Sequence, residues 1–180
     1  MKVVAIVGMA GAGKSEVARE FEKAGYVRIR FGDITDEEVE KRGMPLNETS
    51  ERFVREALRE KHGMAAYAKL SLPRIDKALE RASVVIDGLY SWEEYQLLKK
   101  KYGGQLSLVA VWASPRKRYF RISVREVRSL TREQAAARDK SEVENLNKGG
   151  PIAMADYTLT NESTLANLRK QVKRLIERLG

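Results

Sequence analysis

The stretch Gly8-Met9-Ala10-Gly11-Ala12-Gly13-Lys14-Ser15 constrains this chain more than any other. It follows the apolar run Val3-Val4-Ala5-Ile6-Val7 and precedes a segment with Val17, Ala18 and Phe21 at helical spacing. A buried strand, a glycine-rich turn and a helix in that order make a phosphate-binding P-loop. Glycines at the turn let backbone N–H groups converge on phosphate oxygens with no Cβ in the way. The helix beginning at Lys14 adds the positive end of its dipole. Lys14 is placed to reach the β- and γ-phosphates of ATP, and the Ser15 hydroxyl to ligate Mg2+. At average residue frequencies the fixed positions coincide by chance in roughly one such chain in two hundred, and the flanking patterns lower that again.

The remaining pattern says what the loop is set into. Strand-like and helix-like segments alternate, which argues an α/β fold with a mostly parallel sheet. Strands are expected at 3–7, 26–31, 84–86, 106–113 and 156–160. Helices are expected at 14–24, from the Thr35-Asp36-Glu37-Glu38 capping box to Gly43, and at 48–62 with Phe53, Val54, Ala57 and Leu58 inward. Further helices are expected at 64–81 with a break before Pro73, at 92–102, from Pro115 to about Arg128, from Thr131 to about Asn145, and at the carboxyl end. Lys148-Gly149-Gly150-Pro151 reads as a flexible loop. Two helical segments, 34–82 and 115–151, exceed what crossing a five-stranded sheet requires and read as functional insertions.

With 180 residues the chain suits one domain. No apolar run approaches the ~18 residues of a membrane span. The absence of Cys excludes disulfides and thiolate metal sites, and a cytoplasmic location is the default expectation. Lys and Arg number 34 against 25 acids. Such an excess suits either nucleic acid or a pocket for polyanionic nucleotides. The basic residues are dispersed along the chain, which favours the pocket.

Three further groups of residues carry chemistry. Asp33 stands at the carboxyl end of the second strand, the edge at which open α/β sheets bind ligands; a carboxylate there orients or deprotonates an acceptor hydroxyl. Asp87 ends a wholly apolar strand, as does the acid that holds Mg2+ through water in P-loop enzymes. Arg121 and Arg125, four apart, share a helix face. With Arg138 they supply positive charge for a transferred phosphoryl group, a reaction dominated by positioning and electrostatics.

The P-loop, Gly32-Asp33, Val85-Ile86-Asp87-Gly88, the arginines from Arg121 to Arg138 and Ala155-Asp156-Tyr157-x-Leu159-x-Asn161 together resemble nucleoside monophosphate kinases, and more closely dephospho-CoA kinase with its archaeal relatives. The resemblance implies a three-layer fold with a five-stranded parallel sheet ordered 2-3-1-4-5. It implies a core of 1–33, 83–125 and 153–180, an acceptor-binding insertion at 34–82 and a mobile lid at 126–152. It also implies that Arg121, Arg125 and Arg138 close over the triphosphate, and that Asn161 lies near the donor base. Arg52 and Arg55 in the insertion, with Gly88 and Tyr90 after the third strand, are then candidates for the acceptor. Two departures bear on that acceptor. Asp87-Gly88-Leu89-Tyr90-Ser91 lacks the arginine that adenylate kinases carry there, and lacks the Pro-Leu-Leu-like run of dephospho-CoA kinases.

The resulting expectation is ATP- and Mg2+-dependent phosphoryl transfer to a nucleoside or deoxynucleoside monophosphate. Dephospho-CoA is the alternative acceptor, and an ATPase serving as an RNA-associated or assembly factor is the alternative class.

Overall fold

A computed structural model of the protein describes residues 1–180. The strands are β1 (Val3–Val7), β2 (Val27–Arg30), β3 (Val84–Asp87), β4 (Leu106–Trp112) and β5 (Tyr157–Thr160). They form one five-stranded sheet in the order β2-β3-β1-β4-β5, as the resemblance implies, and every pairing is parallel. Every residue of β1 is buried. The pleat sends Val3, Ala5 and Val7 into one core and Val4 and Ile6 into the other, which is why the strand reads as an unbroken apolar run.

Helices α1 (Lys14–Lys23) and α9 (Leu165–Leu179) cover one face of the sheet. Phe21, Val17, Leu168 and Val172 pack there on Ile6, Val85 and Val109. Helices α4 (Ala66–Leu79) and α5 (Trp92–Tyr102) cover the other, with Tyr67, Ile75 and Leu98 in the core. Helices α2 (Gly32–Lys41) and α3 (Glu48–His62) pack on each other, and α3 packs on α4. Helices α6 (Pro115–Ser123) and α7 (Arg132–Glu144) form a second pair, and the short α8 (Gly149–Ala153) returns the chain to β4. Because the strands are parallel, Gly8, Phe31, Gly88, Ala113 and Asn161 all leave the sheet at one edge.

Several local expectations are corrected. Helix α2 begins already at Gly32, so Thr35 is no cap; its hydroxyl is buried 2.6 Å from the Tyr67 hydroxyl. Phe53 is exposed, under the Arg42 guanidinium, and Glu51 takes its place on the inner face of α3 because arginines await it there. Pro73 lies inside α4 without ending it. Pro73 and Lys69, whose carbonyl loses a donor, are both exposed, so no buried group is orphaned. Helix α6 stops at Ser123, and Arg121 and Arg125 therefore share no helix face. The chain turns there toward α2 and α3, where Arg128 finds two carboxylates. The segment 148–151 is no loop either. Pro151 sits in the first turn of α8, where its missing N–H is harmless, and Lys148 is buried against Glu142 at 2.8 Å.

Candidate active site

The P-loop is held open from behind. The carbonyls of Met9, Ala10 and Ala12 are engaged by Lys14 Nζ at 3.1 Å, Arg118 Nη1 at 3.2 Å and Asn161 Nδ2 at 2.8 Å. The amides of Gly11, Gly13, Lys14 and Ser15 have no backbone acceptor and remain for an anion at the α1 N-terminus. Glycine is required at two positions in particular. A Cβ on Gly8 would lie 2.4 Å from the Val111 carbonyl oxygen, and one on Gly13 would lie 2.4 Å from Asn161 Nδ2. Both have φ in the left-handed half of the map, at +151° and +105°.

Lys14 has its pKa pushed down to about 8, chiefly by burial and then by the nearby Lys148. Behind it lies a second basic centre. Glu142 pairs with Lys148 Nζ at 2.8 Å and accepts, at 3.2 Å, from Arg138 Nε. Burial works to raise the Glu142 pKa, but Lys148, Arg138 and Lys14 outweigh it and hold the carboxyl down at about 2.

Ser15 donates to Asp87 Oδ1 at 3.4 Å, and Asp87 is almost fully buried. The other carboxylate oxygen, Oδ2, accepts from Arg28 Nε and Nη2. One hydroxyl and one buried carboxylate facing each other, beside amides shaped for phosphate, are the donor set that Mg2+ takes when phosphate oxygens complete its shell. Ser15 and Asp87 therefore fit a metal that arrives with a nucleotide.

Two cavities meet at the loop. One, of about 530 Å³, runs from the P-loop past Arg121 to Asn161, Ser163 and Leu165. The other, of about 200 Å³, runs from the P-loop to α2 and α3 and is lined by Arg30, Asp36, Glu48, Glu51, Arg55 and Arg128 among others. They share Gly11, Lys14, Ser15 and Arg125. The second cavity is braced by ion pairs across it: Arg128 to Glu51 at 2.7 Å and to Asp36 at 3.3 Å, Arg30 to Asp36 at 2.8 Å, and Arg55 to Glu48 at 2.6 Å.

With this geometry the kinship is legible. Residues 4–154 match the AAA domain family. A UPF0200 protein of Thermococcus sibiricus is 36% identical over 184 residues, covering 99% of this chain and 95% of the relative. The chain belongs to the UPF0200 family. Among solved structures, TT1252 from Thermus thermophilus superposes with a TM-score of 0.67 at 20% identity over 99% of this chain and 98% of the other. A shikimate kinase from Bacteroides thetaiotaomicron superposes with a TM-score of 0.64 at 14% identity over the same shares. At such identities the likeness is one of fold, and that fold is the P-loop kinase type. No helix of this UPF0200 chain is long and apolar enough to cross a membrane.

The residues expected from the sequence fall into three groups. Ala10, Gly11, Lys14 and Ser15 of the P-loop, with Asp87, Gly88, Tyr90, Arg55, Arg125 and Arg138, line the smaller cavity. Gly13, Arg121 and Asn161 line the larger one, where Arg121 Nη2 donates to the Asn161 carbonyl at 2.8 Å, and Gly8, Met9 and Ala12 of the loop line neither. Asp33 and Arg52 lie outside both. Asp33, in the first turn of α2, pairs with Arg30 at 2.6 Å and opens onto a separate groove near Met44 and Leu46. Arg52 is exposed and bound to Glu56 one helical turn away, because the inner face of α3 passes through Glu51 and Arg55. Sequence reasoning missed Arg28, Arg30, Asp36, Glu48, Glu51 and Arg128. For the first two a signal existed: Arg28 and Arg30 alternate on a strand otherwise apolar, next to the strand that ends in Asp87.

Proposed function

We propose that this protein transfers the γ-phosphoryl group of ATP, with Mg2+, to a small-molecule acceptor held between the P-loop, α2 and α3. One observation carries the reading: two cavities on opposite sides of the P-loop share Lys14, Ser15, Gly11 and Arg125. A triphosphate filling the larger cavity ends where the smaller one begins, so a donor and an acceptor meet at a single phosphoryl group. A simple NTPase requires only the first cavity.

The residues then take these roles. Lys14 and the loop amides hold the β- and γ-phosphates. Ser15 and Asp87 hold Mg2+, which offsets phosphate charge when bound. Arg125 and Arg138 stand over the transferred group, whose charge spreads over its equatorial oxygens. The acceptor oxygen bonds to the γ-phosphorus as the bridge to the β-phosphate breaks, leaving ADP. Its proton passes to a carboxylate of the acceptor cavity, of which Asp36 stands closest in chain position to the expected Asp33. Arg30, Arg55 and Arg128 would take an anionic group of the acceptor, for which the sequence alone suggests a nucleoside monophosphate.

The test is ADP release with Mg2+ across an acceptor panel, for the wild type and Lys14→Ala. Acceptor-stimulated release that Lys14→Ala removes is the expected result. Hydrolysis indifferent to every acceptor, accompanied by salt-dependent RNA binding, would overturn the reading in favour of an RNA-associated ATPase.

A further inference from the structure

Within the phosphotransferase reading, on which this step rests, we infer that the acceptor is a compact, multiply hydroxylated anion and not a nucleotide. The walls of the acceptor cavity exclude a nucleobase. Sites for larger organic ligands span roughly 300–1,000 Å³ and are lined mainly by apolar and aromatic groups. This cavity measures about 200 Å³, and its only hydrophobic lining residues are Ala10 and Tyr90. Tyr90 is the one aromatic ring in the lining, and it is already packed among other side chains. Its ring meets the Tyr67 ring at 5.1 Å and the Phe31 ring at 6.4 Å, and Lys148 Nζ stands 5.5 Å from its centroid. A base binds by laying its π-face on an aromatic or apolar surface, and this cavity has little such surface to give.

What the walls do offer is an alternation of fixed donors and acceptors. Arg30 spends Nη1 on Asp33 and Asp36, and Arg128 spends Nη2 on Asp36 and Glu51. Each guanidinium carries five N–H groups, so most of theirs stay available. Glu51 Oε1 is buried and makes no well-directed hydrogen bond despite its nearness to Arg128. A hydroxyl both donates and accepts, so a row of neighbouring hydroxyls satisfies carboxylates and guanidinia at once. The requirement for negative charge comes from the lining as a whole: Lys14, Arg30, Arg55, Arg125, Arg128 and Arg138 face only the carboxylates of Asp36, Glu48, Glu51 and Asp87. A carboxylate or phosphate on the acceptor, beside the transferred group that Arg125 faces, offsets that excess.

The experiment measures ADP release and thermal stabilisation of the full chain with Mg-ATP or a non-hydrolysable analogue. One arm contains ribose 5-phosphate, glucose 6-phosphate and gluconate; the other contains the nucleoside monophosphates and dephospho-CoA. At least one hydroxylated anion is expected to raise ADP release tenfold or more, while the nucleotides leave it within twofold. Arg55→Gln is expected to raise KM for that anion about tenfold, more than it raises KM for ATP, and Arg55→Lys to recover part of the loss. A protein that binds Mg-ATP but answers to nucleotides, or to none of the hydroxylated anions, overturns the acceptor class and leaves the kinase reading standing. A protein that binds no Mg-ATP overturns both.

Discussion

Arg28 on β2 grips Asp87 on β3 through both Nε and Nη2, at 3.2 and 2.5 Å, and both bonds fall on Oδ2. Oδ1 is thereby turned to Ser15. The edge strand fixes which oxygen of the buried acid faces the phosphate site, and it does so without entering the cleft.

Removing one member of such a buried pair leaves the other charged and unpartnered, which costs about 3–5 kcal/mol when burial is complete. Arg28 is 19% exposed and Asp87 4%, so Arg28→Met is expected to lower stability by about 2–4 kcal/mol. Adding Asp87→Asn to Arg28→Met should recover part of that loss. Urea unfolding of the two single variants and the double variant gives the coupling; additive losses would show that the pair does not act as a unit.

Lys14 makes nucleotide binding depend on pH in a direction that can be stated in advance. In the free protein its pKa is near 8, and a bound triphosphate holds the proton on it. Affinity for Mg-ATP should be flat below that value and weaken as pH rises through it, by up to about tenfold per unit. Calorimetric titrations from pH 6 to 9.5 test this, and an affinity flat to pH 9.5 would contradict it.

Much of this site is legible in the sequence, and what is not depends mostly on partners far apart in the chain. The P-loop, Asp87, and Arg121 through Arg138 are local in the chain: a turn, a strand end, a charged run. Asp33 was expected where Asp36 stands because the assumed capping box at Thr35 placed the helix start too late. Thr35 instead bonds Tyr67, a partner 32 positions away. Arg52 and Arg55 are both acceptor candidates in the sequence, yet the inner face of α3 is set by Glu51, whose partner Arg128 comes from beyond α6. Ion pairs between distant segments leave no period in a sequence. Lys148, in a stretch that the Gly-Gly-Pro composition makes look like a loop, is a buried cation held by Glu142 only six positions before it.

Arg118 couples the P-loop to α7. Buried at 4% exposure, it donates to the Ala10 carbonyl from α6 and grips Asp139 at 2.9 and 2.6 Å. Arg118→Met leaves Asp139 with only the Tyr119 hydroxyl and frees a loop carbonyl. The expected loss is about 3 kcal/mol of stability, with a several-fold higher KM for ATP because the loop is no longer braced. Denaturation midpoints and initial rates at subdenaturing temperature separate the two effects; an unchanged KM would confine Arg118 to a structural role.

Glu94 is a core carboxyl whose charge works against folding. It is fully buried at the start of α5, and burial pushes its pKa up to about 7 although it accepts from the Tyr90 N–H at 2.7 Å. The sign follows from proton counts. Between the ordinary value of 4.5 and about 7, the folded chain holds a proton that the unfolded chain has released. Stability therefore falls as pH climbs through that window and stays reduced above it, by about 3 kcal/mol in all. Glu94→Gln keeps an oxygen for the Tyr90 amide and cannot ionise. It should leave stability nearly unchanged at about pH 4 and raise it by about 3 kcal/mol at about pH 8. Urea midpoints at the two pH values decide the matter. An equal effect at both would mean that Glu94 acts through packing and not through its proton.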